Sequence, residues 1–200
     1  MATTQPGAKL ALRDQLSTTR NRLGVAEVGA AARGLAEVLL ADPEVRRAAS
    51  VAAYVSIGNE PGTGPLLDGL VSAGKRVILP VLLPDGDLDW GVYAGESSLT
   101  RARLGLLEPA GPTLGVDAIG TPDAVLVPGV AVARDGMRLG RGGGSYDRAL
   151  GRVPVGTFTC VLLYAGELGI DVPREPHDRP VTAAATPDEI VRFPSPAGWR

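Results

Sequence analysis

Arginines and glycines crowd one short segment of this 200-residue chain. The members of the segment are Arg138, Gly140, Arg141, Gly142, Gly143, Gly144 and Arg148. Glycine lets backbone amides approach an anion closely, and guanidinium groups supply positive charge and paired hydrogen bonds. The segment therefore predicts a binding site for an anion such as a phosphate.

The flanking residues predict the elements that position this anion site. Before it, DAVLVPG at 123–129 is a short, nearly continuous apolar run, which is typical of a strand covered on both faces. After it, SYDRAL at 145–150 predicts a short helix, with Ser145 as its cap and its first amides directed at the glycines. A glycine run alone would favour a surface hairpin, but the arginines and the strand favour the anion site.

Two better-known phosphate motifs are excluded. A P-loop requires a lysine after the glycines, and this segment has none. A dinucleotide fingerprint requires a third glycine at the position of Ser145. The segment is therefore a different kind of phosphate loop.

The segment VPGVAVARDGMRLGRGGGSYDRAL, at residues 127–150, resembles the signature of the 5-formyltetrahydrofolate cyclo-ligases, also called 5,10-methenyltetrahydrofolate synthetases. Other segments match that family in the same order along nearly the whole chain. They are Lys9 with Arg13, YVSIGNEPGT at 54–63, LGLLEP at 104–109 and PHDRPV at 176–181. The resemblance implies a single three-layer α/β/α domain with a mixed, mostly parallel sheet.

The resemblance also implies a role for each matching residue. ATP binding is implied for Lys9, Arg13, Arg138, Leu139, Gly140, Arg141, Gly142, Gly143, Gly144, Ser145 and Tyr146. Binding of the folate substrate is implied for Val55, Glu60, Arg141, Gly142, Gly143, Gly144 and Ser145. The implied catalytic residues are Arg141, Lys9 and Arg13, and the implied cofactor is Mg²⁺ with Asp147 and Asp178 as ligands.

Without the resemblance, the two N-terminal cations have an ordinary explanation. Lys9 and Arg13 are four residues apart, so in a helix they share one face beside Leu12 and Leu16. Such a face is most often simply solvated. We expect Leu12 and Leu16 to dock the helix, and we expect neither cation to be part of the core.

The candidate carboxylates have ordinary explanations too. Glu60 lies in a proline turn, where exposed carboxylates are common, although a carboxylate held there can accept two hydrogen bonds from a pterin ring. Asp147 suits the first turn of a helix, and Asp178 follows His177 in a proline-rich loop. Carboxylate oxygens are nevertheless what a magnesium ion on nucleotide phosphates requires. We interpret His177 as a loop residue or hydrogen-bond partner rather than a general base.

Three positions depart from the pattern of the family. Ser145 replaces an aromatic residue that often precedes Tyr146, and Gly143 stands where some members have lysine. Thr182 stands where many members have another acidic residue. We expect the backbone cradle for phosphate to survive the changes within the loop.

Composition and charge exclude several classes of partner. A net charge of −2 gives no general attraction to nucleic acid or to anionic lipid. No apolar run approaches the ~18 residues that a membrane span needs. Cys160, the sole cysteine, cannot form an internal disulfide, and its apolar surroundings favour a buried thiol over a nucleophile. We expect a cytoplasmic monomer whose partners are ATP and the folate, with no nucleic acid and no membrane.

The remaining patterns predict alternating helices and strands, which is typical of one α/β domain over residues 1–200. Helices are predicted at 9–19, at 25–41 and after a Thr63 cap. Strands are predicted at 51–57, 76–82, 124–128 and 158–163, with a hairpin at 84–87, a loop at 110–122 and a weakly ordered tail at 193–200. Ligands of such sheets gather at the carboxyl ends of strands, so one cleft should collect both the Glu60 turn and the glycine loop.

The predicted function is an ATP- and magnesium-dependent ligase that converts 5-formyltetrahydrofolate to 5,10-methenyltetrahydrofolate. The formyl oxygen takes the γ-phosphoryl group and N10 then attacks, so positioning and charge stabilisation suffice and no protein nucleophile is needed. Two alternatives remain open. One is a sugar-phosphate isomerase or acyl-CoA transferase of similar architecture, and the other is a folate-binding protein without turnover.

Overall fold

The computed structural model describes residues 6–194, in which helices and strands alternate as the sequence predicts. The helices are α1 (Pro6–Arg20), α2 (Val25–Ala41), α3 (Pro43–Arg47), α4 (Gly64–Ser72) and α5 (Ser145–Leu150). The strands are β1 (Ser50–Ala52), β2 (Arg76–Leu82), β3 (Leu88–Tyr93), β4 (Leu99–Arg101), β5 (Leu107–Pro109), β6 (Ala124–Pro128), β7 (Ala131–Val132), β8 (Arg138–Leu139), β9 (Phe158–Leu162), β10 (Ala183–Ala185) and β11 (Ile190–Arg192).

The main sheet is mixed and mostly parallel, which confirms the predicted fold class. Its strand order is β11-β10-β9-β6-β1-β2-β3. The inner strands pair in parallel, whereas β3 and β11 close the two edges as antiparallel strands. Two short ribbons, β4-β5 and β7-β8, lie outside this sheet. Because the five parallel strands run the same way, their carboxyl ends meet at one edge of the sheet.

Apolar side chains cover both faces of the sheet. One cluster packs Leu35 and Leu39 of α2 and Leu66 of α4 against one face. A second cluster packs Leu150 of α5 with Trp90 of β3 on the other face. The result is a helix–sheet–helix sandwich, in which near-continuous apolar strands are buried on both sides.

Helix α1 packs apart from these two clusters. Leu16 joins a third cluster with Ala131 and Leu139 of the β7-β8 ribbon, and the half-buried Leu12 packs against it. The predicted docking role of Leu12 and Leu16 is therefore confirmed. The ribbon leads directly into the glycine loop, so α1 is fixed beside that loop.

The strand predicted at 51–57 is shorter in the structure, because only Ser50–Ala52 pair with neighbouring strands. The apolar residues that follow leave the sheet: Ala53 and Tyr54 stay buried, whereas Val55 and Ile57 are half-buried. Ser56 and Thr63 exchange hydrogen bonds, in which each backbone N–H donates to the hydroxyl of the other residue. Thr63 precedes α4 as predicted, but its hydroxyl closes this loop and makes no cap bond to the helix.

Two further expectations need correction. The loop predicted at 110–122 contains a short 3₁₀ helix, Val116–Gly120, which buries Ile119. The predicted weak order of residues 193–200 is wrong at Phe193, which is buried and whose N–H donates to the carbonyl of Thr182. Residues 195–200 lie outside the described part of the chain. Helix α3, capped by Asp42, and strands β10 and β11 had no counterpart in the sequence prediction.

Candidate active site

A cavity of about 1010 Å³ opens where the parallel strands end. Tyr54 and Val55 follow β1, Leu82 ends β2 and Pro128 ends β6, and all four line the cavity. The remaining wall comes from α1, from residues between 104 and 108, and from segments 138–148 and 175–179. The prediction that one cleft collects the Glu60 turn and the glycine loop is confirmed, since both line this cavity.

The glycine loop owes its shape to two left-handed residues. Gly142 and Gly144 have φ angles of 104° and 69°, which side chains rarely tolerate. Gly144 is also the N-terminal cap residue of α5. Arg13 of α1 braces the loop, because its Nε donates to the carbonyl of Gly140 at 2.8 Å. A Cβ at Gly142 would lie 3.4 Å from the Arg13 guanidinium carbon. That distance is ordinary van der Waals contact, so the positive φ angles, and not a lack of space beside α1, are what require glycine in this loop.

Ser145 does not cap α5, contrary to the prediction. It is the first residue of the helix and its hydroxyl donates to the carbonyl of Gly86 at 2.6 Å. The guanidinium of Arg148 lies beside Gly144 and donates to the same carbonyl. These hydrogen bonds join the hairpin between β2 and β3 to the start of α5. Ser145 still lines the cavity, as does the half-buried ring of Tyr146.

Glu60 is fixed in its turn as predicted. Its carboxylate is 6% exposed, and Oε2 accepts the N–H of Ile57 at 2.9 Å. Its other oxygen, Oε1, accepts a hydrogen bond of 3.2 Å from Nη1 of Arg141. The Arg141 side chain is 52% exposed, so one face of the guanidinium stays open to the cavity. The two segments predicted to bind the folate and the ATP are thus in direct contact.

Arg138 lines the cavity but is buried and bound to groups of the protein itself. It is 3% exposed, and its guanidinium donates to the carbonyl of Pro128 and to Oδ1 of Asp147, each at 3.1 Å. The neighbouring Leu139 is buried in the α1 cluster. The ATP contacts implied for these two residues stay predictions, and their observed contacts are those of residues that support the loop.

Lys9 is buried, contrary to the expectation of a cation outside the core. It is 6% exposed, and its Nζ lies 2.6 Å from Oε2 of Glu175 and 2.7 Å from Oδ2 of Asp178. Burial disfavours the charged form, but the hydrogen bonds to Asp178 and Glu175 outweigh it, so the pKa of Lys9 is raised above its ordinary value. The ammonium is therefore held inside the cavity by two carboxylates.

The two predicted magnesium ligands line the same cavity but belong to different clusters. Oδ1 of Asp147 accepts from Arg138 and, at 3.2 Å, from the N–H of Arg179. Asp178 is grouped with Glu175 and His177, whose ligand atoms lie within 4.8 Å of one another. Glu175 was missed by the sequence analysis, although it lies three residues before Asp178. His177 is exposed, in agreement with its interpretation as a loop residue.

A second buried ion pair was also missed. Nε of Arg20 donates to Oε1 of Glu167 at 2.6 Å, and its Nη2 donates to Oε2 of Glu167 and to the carbonyl of Gly129. The backbone N–H of Tyr164 donates to Oε2 of Glu167, and the Tyr164 hydroxyl donates to the carbonyl of Glu60 at 3.4 Å. This network ties the end of α1 to the Glu60 turn. No local pattern marks it, because the partners are 147 residues apart.

Comparison with known proteins identifies the family to which the chain belongs. The model of the 5-formyltetrahydrofolate cyclo-ligase family matches residues 5–187. The chain belongs to that family.

Cyclo-ligases of several organisms are similar to this chain. The 5-formyltetrahydrofolate cyclo-ligase of Mycolicibacterium smegmatis is 43% identical over 143 residues, which cover 69% of this chain and 73% of the relative. That of Escherichia coli K12 is 37% identical over 157 residues, which cover 74% and 83%. The NMR structure of Aquifex aeolicus 5,10-methenyltetrahydrofolate synthetase aligns with a TM-score of 0.80 and 26% identity over 96% of each chain.

Membership of the cyclo-ligase family confirms three predictions: the family itself, the α/β fold, and an enzyme that is a ligase of folate one-carbon metabolism. It decides against a sugar-phosphate isomerase or acyl-CoA transferase. No helix within residues 6–194 has the length and apolar character that crossing a membrane requires. The cytoplasmic location, the monomeric state and the roles of individual site residues stay predictions.

Proposed function

We propose that this cyclo-ligase consumes ATP to convert 5-formyltetrahydrofolate to 5,10-methenyltetrahydrofolate, releasing ADP and phosphate. The observation that carries the proposal is the contact between Arg141 and Glu60. It joins a cationic glycine loop, suited to nucleotide phosphates, to a fixed carboxylate, suited to the donor groups of a pterin. An enzyme that transfers a phosphoryl group to its folate needs both sites within one cavity.

The chemistry requires no nucleophile from the protein. The formyl oxygen attacks the γ-phosphorus, the bond to the β-γ bridging oxygen breaks, and ADP leaves. N10 then attacks the activated carbon and loses its proton, and the carbon–oxygen bond breaks to release phosphate. The formyl oxygen therefore ends in the phosphate, and the product carries the methenyl bridge between N5 and N10. Catalysis rests on alignment and on stabilisation of charge.

The cations of the cavity have distinct parts in this proposal. Arg141 keeps an open guanidinium face for the transferred phosphoryl group. Arg13 contributes charge from α1 while it holds the loop at Gly140. Lys9 reaches the phosphates when they replace one of its two carboxylate partners, Glu175 or Asp178. The backbone amides of residues 140–144 complete the cradle.

The donor set of the cavity fits Mg²⁺, which prefers carboxylate oxygens together with phosphate oxygens. Oδ2 of Asp147 accepts no hydrogen bond from residues 6–194 and is thus available as a ligand. Asp178 is available when Lys9 turns to the phosphates. Bound Mg²⁺ would neutralise part of the negative charge that accumulates on the phosphates.

The proposed reaction is tested by mixing the protein with 5-formyltetrahydrofolate, ATP and Mg²⁺. The absorbance of the methenyl product should rise, and one ADP should form for each product. Omission of ATP should abolish the reaction. Equal product formation without a nucleotide would overturn the ligase mechanism, and tight folate binding without any product would favour the non-catalytic folate-binding alternative.

Glu60→Gln should weaken binding of 5-formyltetrahydrofolate by about 10- to 100-fold, because it removes a charged acceptor while preserving shape. Binding of ATP should not weaken, since the substitution releases Arg141 from its ion pair. Calorimetric titration of each ligand measures both effects. Glu37→Gln, an exposed change on α2, is the matched control. Unchanged folate affinity in Glu60→Gln would reject the role given to this carboxylate.

Asp147→Asn should raise the Mg²⁺ concentration required for half-maximal activity by about tenfold, because a neutral amide is a weaker ligand than a carboxylate. The fold should persist, since asparagine can still accept from Arg138 and Arg179. A magnesium titration of the steady-state rate measures the shift, with the exposed Asp68→Asn on α4 as control. If the two variants require the same Mg²⁺ concentration for half-maximal activity, Asp147 stabilises the start of α5 and does not bind the metal.

A further inference from the structure

Tyr54 differs from the other aromatic residues of the cavity wall because its hydroxyl is buried without a partner. The residue is 3% exposed, and its hydroxyl makes no hydrogen bond with residues 6–194. Its ring belongs to the main cluster of buried residues, which also contains Leu126 and Cys160. A phenylalanine would fill the same space, so packing does not explain the hydroxyl. Buried hydroxyls in folded proteins nearly always have a partner, which points to a ligand as the missing acceptor.

The hydroxyl lies close to the proposed folate carboxylate. Tyr54 and Glu60 belong to the same loop after β1, and both line the cavity. Burial, reinforced by the nearby negative charge of Glu60, raises the pKa of Tyr54 well above its ordinary value. The phenol therefore keeps its proton and can donate. It does not donate to Glu60, whose oxygens accept from Ile57 and Arg141.

The substrate proposed above presents a matching edge. The 2-amino group and N3–H of a pterin are adjacent donors, and the 4-oxo oxygen next to them is an acceptor. A carboxylate such as Glu60 satisfies the two donors and leaves the 4-oxo oxygen in need of a donor beside it. Arg141 also donates to Glu60, but it is half exposed and assigned to the phosphoryl group, whereas the hydroxyl of Tyr164 already donates to the carbonyl of Glu60. Tyr54 supplies a buried donor with no competing partner among the described residues.

We propose that Tyr54 is a specificity-determining residue of the folate site, whose hydroxyl donates a hydrogen bond to the 4-oxo oxygen of the pterin. The proposal rests on the proposed function and deepens it. It explains a polar atom that the fold itself does not use. The hydrogen bond from Tyr54 to the 4-oxo oxygen would complement those that the Glu60 carboxylate accepts from the two pterin donors.

The test compares two ligands on two proteins by calorimetry without ATP. The ligands are 5-formyltetrahydrofolate and its 4-thioxo analogue, which keeps N3–H and the 2-amino group but offers a weaker sulfur acceptor. Tyr54→Phe should weaken binding of the oxo compound about tenfold and binding of the thioxo compound much less. The preference of the parent for oxygen over sulfur should thus shrink. Tyr93→Phe, a buried tyrosine of β3 that does not line the cavity, is the control.

Thermal unfolding of Tyr54→Phe provides the second measurement. The melting temperature should stay the same or rise, because no hydrogen bond within residues 6–194 is lost. Equal affinity of variant and parent, an equal loss for both ligands, or a lower melting temperature with unchanged preference would each overturn the assignment. A parent that does not bind 5-formyltetrahydrofolate at all would overturn the proposed function as well. A parent that binds and converts it confines the failure to Tyr54.

Discussion

Arg141→Ala should lower kcat/KM for the ATP-dependent conversion of 5-formyltetrahydrofolate by about 10²- to 10³-fold, the usual effect of removing one donor that stabilises developing charge. Arg141 is the residue whose guanidinium both faces the cavity and contacts Glu60. Its loss would remove charge from the phosphoryl group and weaken the alignment of the two substrates. The rate of formation of methenyl product measures the effect.

Arg141→Ala should not change the stability of the fold. The side chain is 52% exposed and makes a single ion pair with residues 6–194, so we expect a melting temperature close to that of the parent. Arg33→Ala, which removes an exposed guanidinium from α2, is the matched control for lost charge and should keep full activity. Arg141→Lys should fall between parent and alanine, because lysine restores charge but not the bidentate geometry. An alanine variant as active as the parent would remove Arg141 from the mechanism.

Glu167→Ala should lower the free energy of unfolding by about 3–5 kcal/mol, because it leaves the guanidinium of Arg20 buried without its counter-charge. Both partners are almost fully covered, with side-chain exposures of 3% and 6%. The loss should therefore far exceed that of an exposed pair. Arg47→Ala, which breaks a surface pair with Glu44 on α3, should change the free energy of unfolding far less, because solvent screens an exposed pair. Urea denaturation of the three proteins gives the comparison.

A double variant, Arg20→Met with Glu167→Leu, separates the lost attraction from the stranded charge. Removing both charges should restore much of the stability, since no buried charge is then left without a counter-charge. If Glu167→Ala costs no more than Arg47→Ala, the buried pair contributes no more than a surface one. If the double variant is as unstable as Glu167→Ala, hydrogen bonds such as that to the carbonyl of Gly129 dominate instead.

Features encoded by neighbouring residues could be predicted from the sequence. Helix α2 and strand β2 occupy the predicted bounds, because apolar periodicity within each segment sets which face is buried. The glycine loop and the position of Glu60 in a turn also follow from local residue types. Strand β1 marks the limit of such reasoning. Its apolar run continues past Ala52, but the chain there forms a buried to half-buried loop that lines the cavity and not a paired strand.

Features that depend on distant partners could not be predicted. The sequence places Lys9 on a polar helix face, and only the approach of Glu175 and Asp178 from 166 and 169 residues away buries it. Arg138 has partners nearer in sequence, the carbonyl of Pro128 and the carboxylate of Asp147, 10 and 9 residues away, but its burial against them depends on the folded path of the chain between them. In each case, contacts formed in the folded chain decide where the charged side chain lies. The local residue pattern does not encode those contacts.

The long-range contacts of α1 affect how the enzyme folds during its synthesis. Its contacts with the glycine loop, Glu167 and Asp178 span 127, 147 and 169 residues. At the usual rate of translation, these partners are synthesised roughly 6 to 34 seconds after α1. Until then its apolar stripe at Leu12 and Leu16 has nothing to cover it. Nucleotide binding should be among the last properties that the new chain acquires. A newly synthesised enzyme that binds ATP has therefore already docked α1 in its native position.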